Sequence, residues 1–473
     1  MEPNVAYVRG LLWLPKALVD LKQLKNSLTF IPATTAYQKK PEPIRAWAET
    51  SFHIGVPLYT FGSLYSEEMR QRWRQWDTPL VDERPRQFEN VDIRSTVQLD
   101  SGRPGNTQAL AADTLARHEA GIISLFCGGG KTVIALHAAA RYRCPIVVVV
   151  DSKGLQEQWA SEVRKHLRMG DGSPVPVGFV GDGRAEWDRP VVVALVQTLF
   201  RMADAKHLLD IGIRRRFGVA VYDEVHCMGA PHFGRAAPLF MGRRWGLSAT
   251  PRRADGLERL YYLHLGQPVM VDLRQELKPY FYFYRVQTQV NPDDPQYKGY
   301  VCVGRETNTA KLLTYLSGLT PRTYEIVGLV QQALAAGRNI MVLSQRLYLL
   351  EQLRRLLPTA GVINGSVTGP RRFDILKTCN PVLCQFKLGE KALDKPNLDM
   401  LIVCEPFQRD AIFQQVIGRV QRPVPGKTVP IVVFVEDRVG PCIRACLKVK
   451  RLITGWPEEK GGPYTWRHYD DAG

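Results

Sequence analysis

The 473-residue chain is too long for one ordinary hydrophobic core, so its length predicts two or three domains. Its apolar (45%) and charged (23%) fractions are typical of a soluble globular protein, and no apolar run approaches the roughly 18–20 residues of a membrane helix. The nine cysteines include no Cys-x-x-Cys pair, which disfavours a metal cluster and a disulfide framework. The formal charge of +17 favours a polyanionic partner such as nucleic acid.

The N-terminal segment, residues 1–95, shows no regular short apolar runs and is rich in basic and aromatic residues. It begins without the basic and then apolar stretch of a signal peptide, so we expect a soluble, intracellular protein. Residues 70–76, with the sequence RQRWRQW, predict an amphipathic helix that either covers a core or contacts DNA. The segment is therefore interpreted as an accessory domain.

From about residue 96, short runs rich in Val and Ile alternate with helical periodicity. Such runs predict strands that are buried on both faces. The first series lies at 122–126, 146–150, 191–195, 219–222 and 245–247, and the second at 280–284, 339–343, 382–386, 400–403 and 431–435. The alternation predicts an α/β fold of two doubly wound parallel-sheet lobes in tandem. We place lobe one at 96–275, lobe two at 276–450 and a loosely held tail at 451–473.

A glycine-rich turn follows the strand predicted at 122–126 and leads directly into a helix. Glycines allow backbone N–H groups to surround phosphate oxygens, and the helix N-terminus adds positive potential. In such a loop the lysine reaches the β- and γ-phosphates of ATP, and the hydroxyl residue ligates Mg²⁺. Leu125 breaks the strict G-x-x-x-x-G-K-T pattern at its first glycine. The loop residues predicted to bind ATP are Cys127, Gly128, Gly129, Gly130, Lys131 and Thr132.

An acidic pair, Asp223 and Glu224, directly follows the strand predicted at 219–222. Ligands of open α/β sheets bind at the carboxyl ends of the strands, which is where these carboxylates stand. Asp223 is predicted to hold Mg²⁺ through water, and Glu224 to position and polarise the attacking water. His226 is predicted to couple the nucleotide to the other lobe.

Two further motifs, one in each lobe, add to the residues predicted to act on the nucleotide. Ser248 and Thr250, in the sequence SATP, follow another predicted strand and can relay the state of the γ-phosphate. In lobe two, four residues share one helix face because of their spacing. They are Gln415, Gly418, Arg419 and Arg422. Two guanidinium groups on that face can stabilise charge on the γ-phosphoryl group.

The ordered motifs FCGGGKT, DEVH, GLSATP and Q-x-x-G-R-x-x-R resemble those of superfamily 2 DNA helicases. The resemblance covers residues 96–440. The order and spacing of the four motifs are highly specific for the superfamily, and they are less specific for the subgroup of XPB-type repair and transcription helicases and poxvirus-type transcript-release helicases. It implies two RecA-like lobes, with ATP and Mg²⁺ bound between them, and movement along one DNA strand in the 3′-to-5′ direction. Three departures weaken particular assignments: Phe126 and Asp151 replace the usual prolines, and Lys391-Ala392 replaces Glu-Gly.

The resemblance also implies roles for residues outside the main motifs. Gln108 corresponds to an adenine contact and Asp394 to a nucleotide contact. The segment from Asp151 to Lys153, followed by Gln158 and Trp159, is similar to a motif that grips the nucleic-acid backbone. The residues expected to contact the strand are Ser152, Lys153, Gln197, Thr198, Ser344, Asn364 and Gly365.

Several alternatives stay open from the sequence. The motor could act as a duplex DNA remodeller or branch-migration translocase that separates strands inefficiently, or it could act on RNA. A non-catalytic nucleic-acid scaffold is disfavoured because Lys131, Asp223, Glu224 and Arg422 are intact. Transcription, replication or repair machinery is the expected partner, and a viral or phage source would suit so compact a chain.

Overall fold

In a computed structural model of the chain, the described residues are 1–32, 42–64, 66–99, 107–126, 128–204, 210–227, 230–249, 256–273, 277–303, 306–367, 369–386, 395–405, 410–421, 424, 426–457 and 462–469. The chain forms two compact units. One comprises Met1–Leu125 and Gly130–Asp272, and the other Phe126–Gly129 and Leu273–Gly473. The lobe boundary at residue 275 stays a prediction.

The N-terminal part of the first unit is a mixed sheet of short strands. Its elements are β1 Ala6–Val8, β2 Leu12–Pro15, α1 Leu21–Ser27, β3 Thr29–Phe30, β4 Ile44–Arg45, β5 Ala48–Glu49, β6 His53–Val56, α2 Glu67–Trp76 and β7 Leu80–Asp82. The sheet order is β5-β6-β2-β1-β7, with only the β1–β7 pair parallel. The helix expected at 70–76 is present as α2. The sheet was missed because strands of two to four residues are too short to show alternation.

The apolar face of this N-terminal sheet belongs to the same hydrophobic core as one face of lobe one. Val8 and Leu12 are buried in a cluster that includes Tyr222 and Phe240. The buried guanidinium of Arg244 also donates from Nη2 to the carbonyl oxygen of Gly10 at 2.9 Å. Residues 1–95 are therefore packed into lobe one over a continuous apolar interface.

Lobe one contains a twisted, mostly parallel sheet flanked by helices. Its elements are β8 Ile93–Ser95, α3 Thr107–Arg117, β9 Ala120–Leu125, α4 Lys131–Ala140, β10 Ile146–Val150, α5 Lys153–His166, β11 Leu167–Met169, β12 Val177–Gly181, β13 Arg184–Ala185, β14 Val191–Leu195, α6 Val196–Asp204, α7 Ile211–Arg216, β15 Val219–Tyr222, α8 Ala230–Ala236, β16 Arg243–Ser248, α9 Glu258–Leu265 and β17 Pro268–Asp272. The sheet order is β13-β12-β14-β10-β15-β16-β9-β17, and only β13 is antiparallel. The carboxyl ends of β9, β10, β14, β15 and β16 therefore meet at one edge.

The second unit contains another parallel sheet. Its elements are β18 Tyr280–Arg285, α10 Pro295–Val301, β19 Cys302–Val303, β20 Glu306–Thr307, α11 Thr309–Ser317, α12 Thr320–Ala335, β21 Ile340–Ser344, α13 Leu347–Leu356, β22 Gly361–Ile363, α14 Gly369–Thr378, β23 Val382–Gln385, β24 Met400–Val403, α15 Asp410–Val420, β25 Ile431–Glu436, α16 Gly440–Thr454 and β26 Trp466–His468. The order is β22-β23-β21-β24-β25-β18-β26, and every neighbouring pair is parallel. The predicted α/β fold with two doubly wound lobes is confirmed.

The tail expected to be loosely held at 451–473 is partly an integral piece of this sheet. Helix α16 continues past residue 450, and β26 pairs in parallel with β18. The prediction was wrong for residues 462–469, because a short edge strand surrounded by Gly, Pro and charged residues resembles a linker in sequence. In the part of the chain that the structure describes, no helix is long and apolar enough to cross a membrane.

Candidate active site

The glycine-rich turn connects the end of β9 to the first residue of α4. Gly128 and Gly130 have φ angles of 89° and 80°, in the left-handed region that glycine enters without steric cost. A Cβ atom on Gly130 would lie 2.6 Å from Nε2 of Gln108, so the loop backbone lies against the end of that side chain. The Lys131 ammonium donates to the carbonyl oxygen of Leu125 at 3.1 Å. The lysine therefore lies over the strand end from which the loop departs, and Cys127 falls outside the described residues.

Gln108 lies beside the glycine-rich loop. It lies in the first turn of α3, and the neighbouring Thr107 hydroxyl donates to Asp272 at 3.1 Å, at the end of β17. This bond ties the start of α3 to the sheet beside the loop. The adenine contact itself stays a prediction.

The acidic pair lies at the carboxyl end of β15, in the same edge of the sheet. Asp223 is buried, and its Oδ2 accepts a hydrogen bond from the indole Nε1 of Trp159 at 2.7 Å. Its Oδ1 accepts from the backbone N–H of Glu224 at 2.9 Å. Burial raises the pKa of Asp223 and so does the neighbouring Glu224, while the Trp159 hydrogen bond and the charge of Lys131 lower it. The loop lysine thus lies within electrostatic reach of the acidic pair.

Trp159 corrects one assignment that the resemblance implied. It was placed with the motif that grips nucleic acid, but the ring is 1% exposed and belongs to the lobe-one core. Leu155, Trp159 and Val163 recur at intervals of four residues along α5, and all three are buried. That helical spacing was the signal in the sequence for a core position. Its bond to Asp223 could not be found from the sequence, because it joins residues 64 positions apart.

Glu224 adopts a φ angle of 45°, which is uncommon for a residue with a side chain. Its Oε2 lies 3.4 Å from Nδ1 of His226, and the same ring nitrogen lies 2.9 Å from the hydroxyl of Ser248 at the end of β16. The structure therefore brings together two residues predicted to transmit the state of the nucleotide, His226 and Ser248. Thr250 lies outside the described residues.

The oxygen donors at this edge fit a magnesium–nucleotide complex. A hydroxyl (Thr132) and two carboxylates (Asp223 and Glu224) are hard ligands of the kind that Mg²⁺ prefers. Oε2 of Glu224 is buried and accepts no hydrogen bond among the described residues. The described ranges also contain no group of three or more His, Cys, Asp or Glu residues that could hold a metal ion. One hydroxyl and two carboxylates suit an ion that completes its coordination with substrate phosphates and water.

The predicted strand contacts of lobe one lie together at the carboxyl ends of β10 and β14. Ser152 is the N-cap residue of α5, and Lys153 begins the helix. The Lys153 side chain is 63% exposed, and its Nζ lies 2.7 Å from Asp182. Gln197 donates from Nε2 to the carbonyl oxygen of Asp151 at 2.8 Å, joining the two segments. The Thr198 hydroxyl, on the same turn, accepts from Arg201 at 3.5 Å.

The residues of lobe two that are predicted to contact the nucleic-acid strand differ in solvent exposure. Ser344 is fully buried, and its hydroxyl donates to the buried carboxylate of Glu405 at 2.9 Å. This placement argues against a direct contact between that hydroxyl and a strand. Asn364 and Gly365 instead form a turn after β22, in which Oδ1 of Asn364 accepts from the backbone and hydroxyl of Ser366. Gly365 is exposed, with no atom near the position of a Cβ.

The helix predicted to carry the arginine pair is α15. Its apolar side, which includes Val416 and Val420, is buried, whereas Arg419 is partly exposed. Burial raises the pKa of the Cys384 thiol to about 12, and the positive charge of Arg419 opposes that shift. The described residues do not include Arg422 or Asp394, nor the side chain of Gln415.

A glycine-rich loop, an acidic pair and a hydroxyl–histidine contact lie at one edge of a doubly wound sheet, an arrangement typical of P-loop nucleotide hydrolases. Residues 85–253 match the family model described as "Type III restriction enzyme, res subunit". A mimivirus protein, L396 of Acanthamoeba polyphaga mimivirus, is named as an ATP-dependent RNA helicase. It is 23% identical over 441 residues, which cover 89% of this chain and 79% of that protein.

A bacterial protein and a solved helicase structure are also similar to this chain. The DNA 3′-5′ helicase XPB of Kineococcus radiotolerans is 28% identical over 326 residues, 67% of this chain and 56% of that protein. The structure of Mycobacterium smegmatis helicase Lhr bound to ssDNA and AMP-PNP shares the fold, with a TM-score of 0.52 and 21% sequence identity. The similarity covers 75% of this chain and 48% of that chain. The chain is thus similar to XPB-type and viral helicases of superfamily 2, and this similarity indicates a nucleic-acid-dependent ATPase, as the motifs predicted.

Proposed function

We propose that the protein is an ATP-dependent DNA helicase or translocase that moves 3′ to 5′ along a strand. The observation that carries this proposal is the similarity to a protein named as a DNA 3′-5′ helicase, which extends over 67% of the chain. The formal charge of +17 supports a polyanionic track. A place in transcription, replication or repair, and a viral or phage source, belong to the same proposal.

In this proposal, the motif residues between positions 107 and 250 bind and activate ATP. Lys131 and the backbone of Gly128, Gly129 and Gly130 hold the phosphates, while Thr132 and Asp223 hold Mg²⁺. The ion, when bound, supplies positive charge that offsets the charge of the phosphate oxygens. Glu224 orients the attacking water and accepts its proton, because its Oε2 is buried and accepts no hydrogen bond among the described residues. The relay from Glu224 through His226 to Ser248 is supported by their contacts.

The roles of the remaining motif residues rest on the resemblance. We propose that Arg419 and Arg422 stabilise the charge of the transferring phosphoryl group and that Gln415 positions it. Asp394 and Gln108 contact the nucleotide. Strand contacts are assigned to Ser152, Lys153, Gln197, Thr198, Asn364 and Gly365, through exposed backbone N–H groups and side chains that bind phosphate oxygens.

The proposal is tested with duplexes that carry a single-stranded tail at either the 3′ or the 5′ end. We expect strand separation with ATP from the 3′-tailed duplex and little from the 5′-tailed one. Lys131→Ala should lower DNA-stimulated ATP turnover about 100-fold or more, since an electrostatic contact to the transferring phosphoryl is lost. Lys165→Ala, at an exposed lysine of α5, is the matched control and should retain activity. ATP turnover that survives Lys131→Ala would contradict the site assignment.

RNA is a second candidate track, because L396 of mimivirus is named as an RNA helicase. Comparing DNA and RNA as activators of the ATPase at equal salt separates the two, since nucleic-acid affinity depends steeply on salt. DNA-stimulated turnover without strand separation on any tailed or forked duplex would instead indicate a duplex translocase or branch-migration remodeller.

A further inference from the structure

Trp159 is the buried donor to the carboxylate of Asp223. Its ring is 1% exposed and Asp223 is 5% exposed, so water cannot readily replace the indole if the hydrogen bond is lost. The bond is 2.7 Å long and joins an N–H group to a carboxylate, which makes it stronger than a bond between neutral groups. The other carboxylate oxygen accepts from the backbone of Glu224. Both oxygens of Asp223 are therefore fixed by donors from two separate elements, α5 and the turn after β15.

The helix that carries Trp159 is itself fastened to the sheet. The Gln156 side chain is buried, and its Nε2 donates to the carbonyl oxygens of Val180 and Val193, at 3.1 and 2.9 Å. These carbonyls belong to adjacent strands, β12 and β14. Leu155 and Val163 bury the same side of α5 in the lobe-one core. The indole N–H is thus presented to Asp223 by a helix with little freedom to slide or turn.

We propose that Trp159 is a positioning residue of the ATPase site, which sets the orientation of the Asp223 carboxylate toward magnesium. This inference rests on the proposed function of Asp223. Partners that hydrogen-bond a metal ligand from outside fix its orientation, and replacing them typically costs about 10–100-fold in metal affinity or activity. The indole N–H, rather than the bulk of the ring, performs this role.

The test measures magnesium-dependent nucleotide binding, which requires no turnover. A fluorescent, non-hydrolysable ATP analogue is titrated with the protein at increasing Mg²⁺ concentration. In Trp159→Phe, the Mg²⁺ concentration for half-maximal binding should rise about 10-fold, because the phenyl ring fills much of the space but has no N–H donor. Binding of the analogue in EDTA should change less than twofold.

Trp245 provides the matched control within the same unit. It is also fully buried, and its indole Nε1 donates at 3.1 Å to the backbone carbonyl of His118 instead of a carboxylate. Trp245→Phe therefore removes the same atoms and a comparable hydrogen bond, and it should leave the Mg²⁺ dependence unchanged. If the two variants show the same Mg²⁺ dependence, Trp159 is only a core residue and the inference is wrong.

Two further variants separate this inference from the proposed function. Asp223→Ala should abolish the Mg²⁺ dependence, and Trp159→Phe should add nothing in the Asp223→Ala background, since coupled residues are not additive. If Asp223→Ala leaves the dependence intact, the metal assignment itself fails. If Trp159→Phe does not fold, Trp159→Met fills the space with a flexible side chain that also lacks a donor, and the same titration applies.

Discussion

At the scale of single residues, solvent exposure distinguishes side chains to which the sequence motifs assign the same role. Lys153 and Ser344 were both expected to contact a nucleic-acid strand. The Lys153 side chain is 63% exposed and pairs with the exposed Asp182, and such an ion pair contributes little to stability. Ser344 is fully buried and donates to Glu405. The first is available to a phosphate group, whereas the second holds a buried carboxylate.

This difference predicts opposite effects of two alanine substitutions. Lys153→Ala should weaken single-stranded DNA binding several-fold and reduce the salt dependence by about one phosphate contact. Ser344→Ala should leave DNA affinity within about twofold, yet cost roughly 1–3 kcal/mol because the Glu405 carboxylate loses a donor. Fluorescence anisotropy with labelled DNA and thermal unfolding measure the two quantities. Lys165→Ala controls for the loss of one positive charge, and a large loss of DNA affinity in Ser344→Ala would restore its original assignment.

At the scale of elements, β26 completes the second sheet. The Trp466 ring lies 5.5 Å from that of Phe283, and the Lys450 ammonium lies 4.6 Å from the Trp466 ring centroid. Lys450 in turn donates to the buried carboxylate of Glu436 at 2.9 Å. The strand thus covers an aromatic and charged layer that would otherwise meet water.

Removing the strand should therefore destabilise the second unit. A chain that ends at residue 457 loses β26, and we expect a lower unfolding temperature, because losing a packed aromatic side chain alone costs about 3–5 kcal/mol. A chain that ends at residue 469 keeps the strand and is the matched control. Differential scanning calorimetry compares the two, and equal unfolding temperatures would show that β26 contributes nothing to stability.

At the scale of the whole molecule, the surplus of positive charge bears on how the protein binds its track. Lys and Arg total 63 and Asp and Glu total 46, and several acidic side chains, including Asp223, Glu405 and Asp437, are buried. Arg244, Arg322 and Lys450 are buried as well, so among the described residues the exposed surface keeps most of the surplus of positive charge. Binding that depends on such charge releases counterions from the nucleic acid.

Single-stranded DNA affinity should accordingly fall about 100-fold between roughly 50 and 200 mM salt, as expected for about five neutralised phosphates on a single strand. The measurement is the dissociation constant at several salt concentrations, with ATP hydrolysis prevented by EDTA. A slope near zero on a logarithmic plot would mean that base stacking, and not charge, dominates the interaction.

The buried parallel strands were the part of the fold most open to sequence reasoning. Strands β10, β14, β15 and β24 match their predicted bounds, because strands covered on both faces are apolar throughout. Motif order likewise located Lys131 and Asp223 at one edge of the sheet. The N-terminal sheet and β26 were missed, since their stability depends on distant pairing and core contacts and not on local pattern. Trp159 shows the same limit, because its partner lies far along the chain.

The left-handed backbone of Glu224 has an evolutionary consequence. A non-glycine residue held at a φ of 45° costs of order 1–3 kcal/mol unless its surroundings compensate. Glycine would adopt this conformation without that cost, so a role for the carboxylate explains a glutamate here better than stability does. In a descendant of this chain that no longer hydrolysed ATP, this position would be among the first to drift, and drift toward glycine or asparagine would make that descendant more stable.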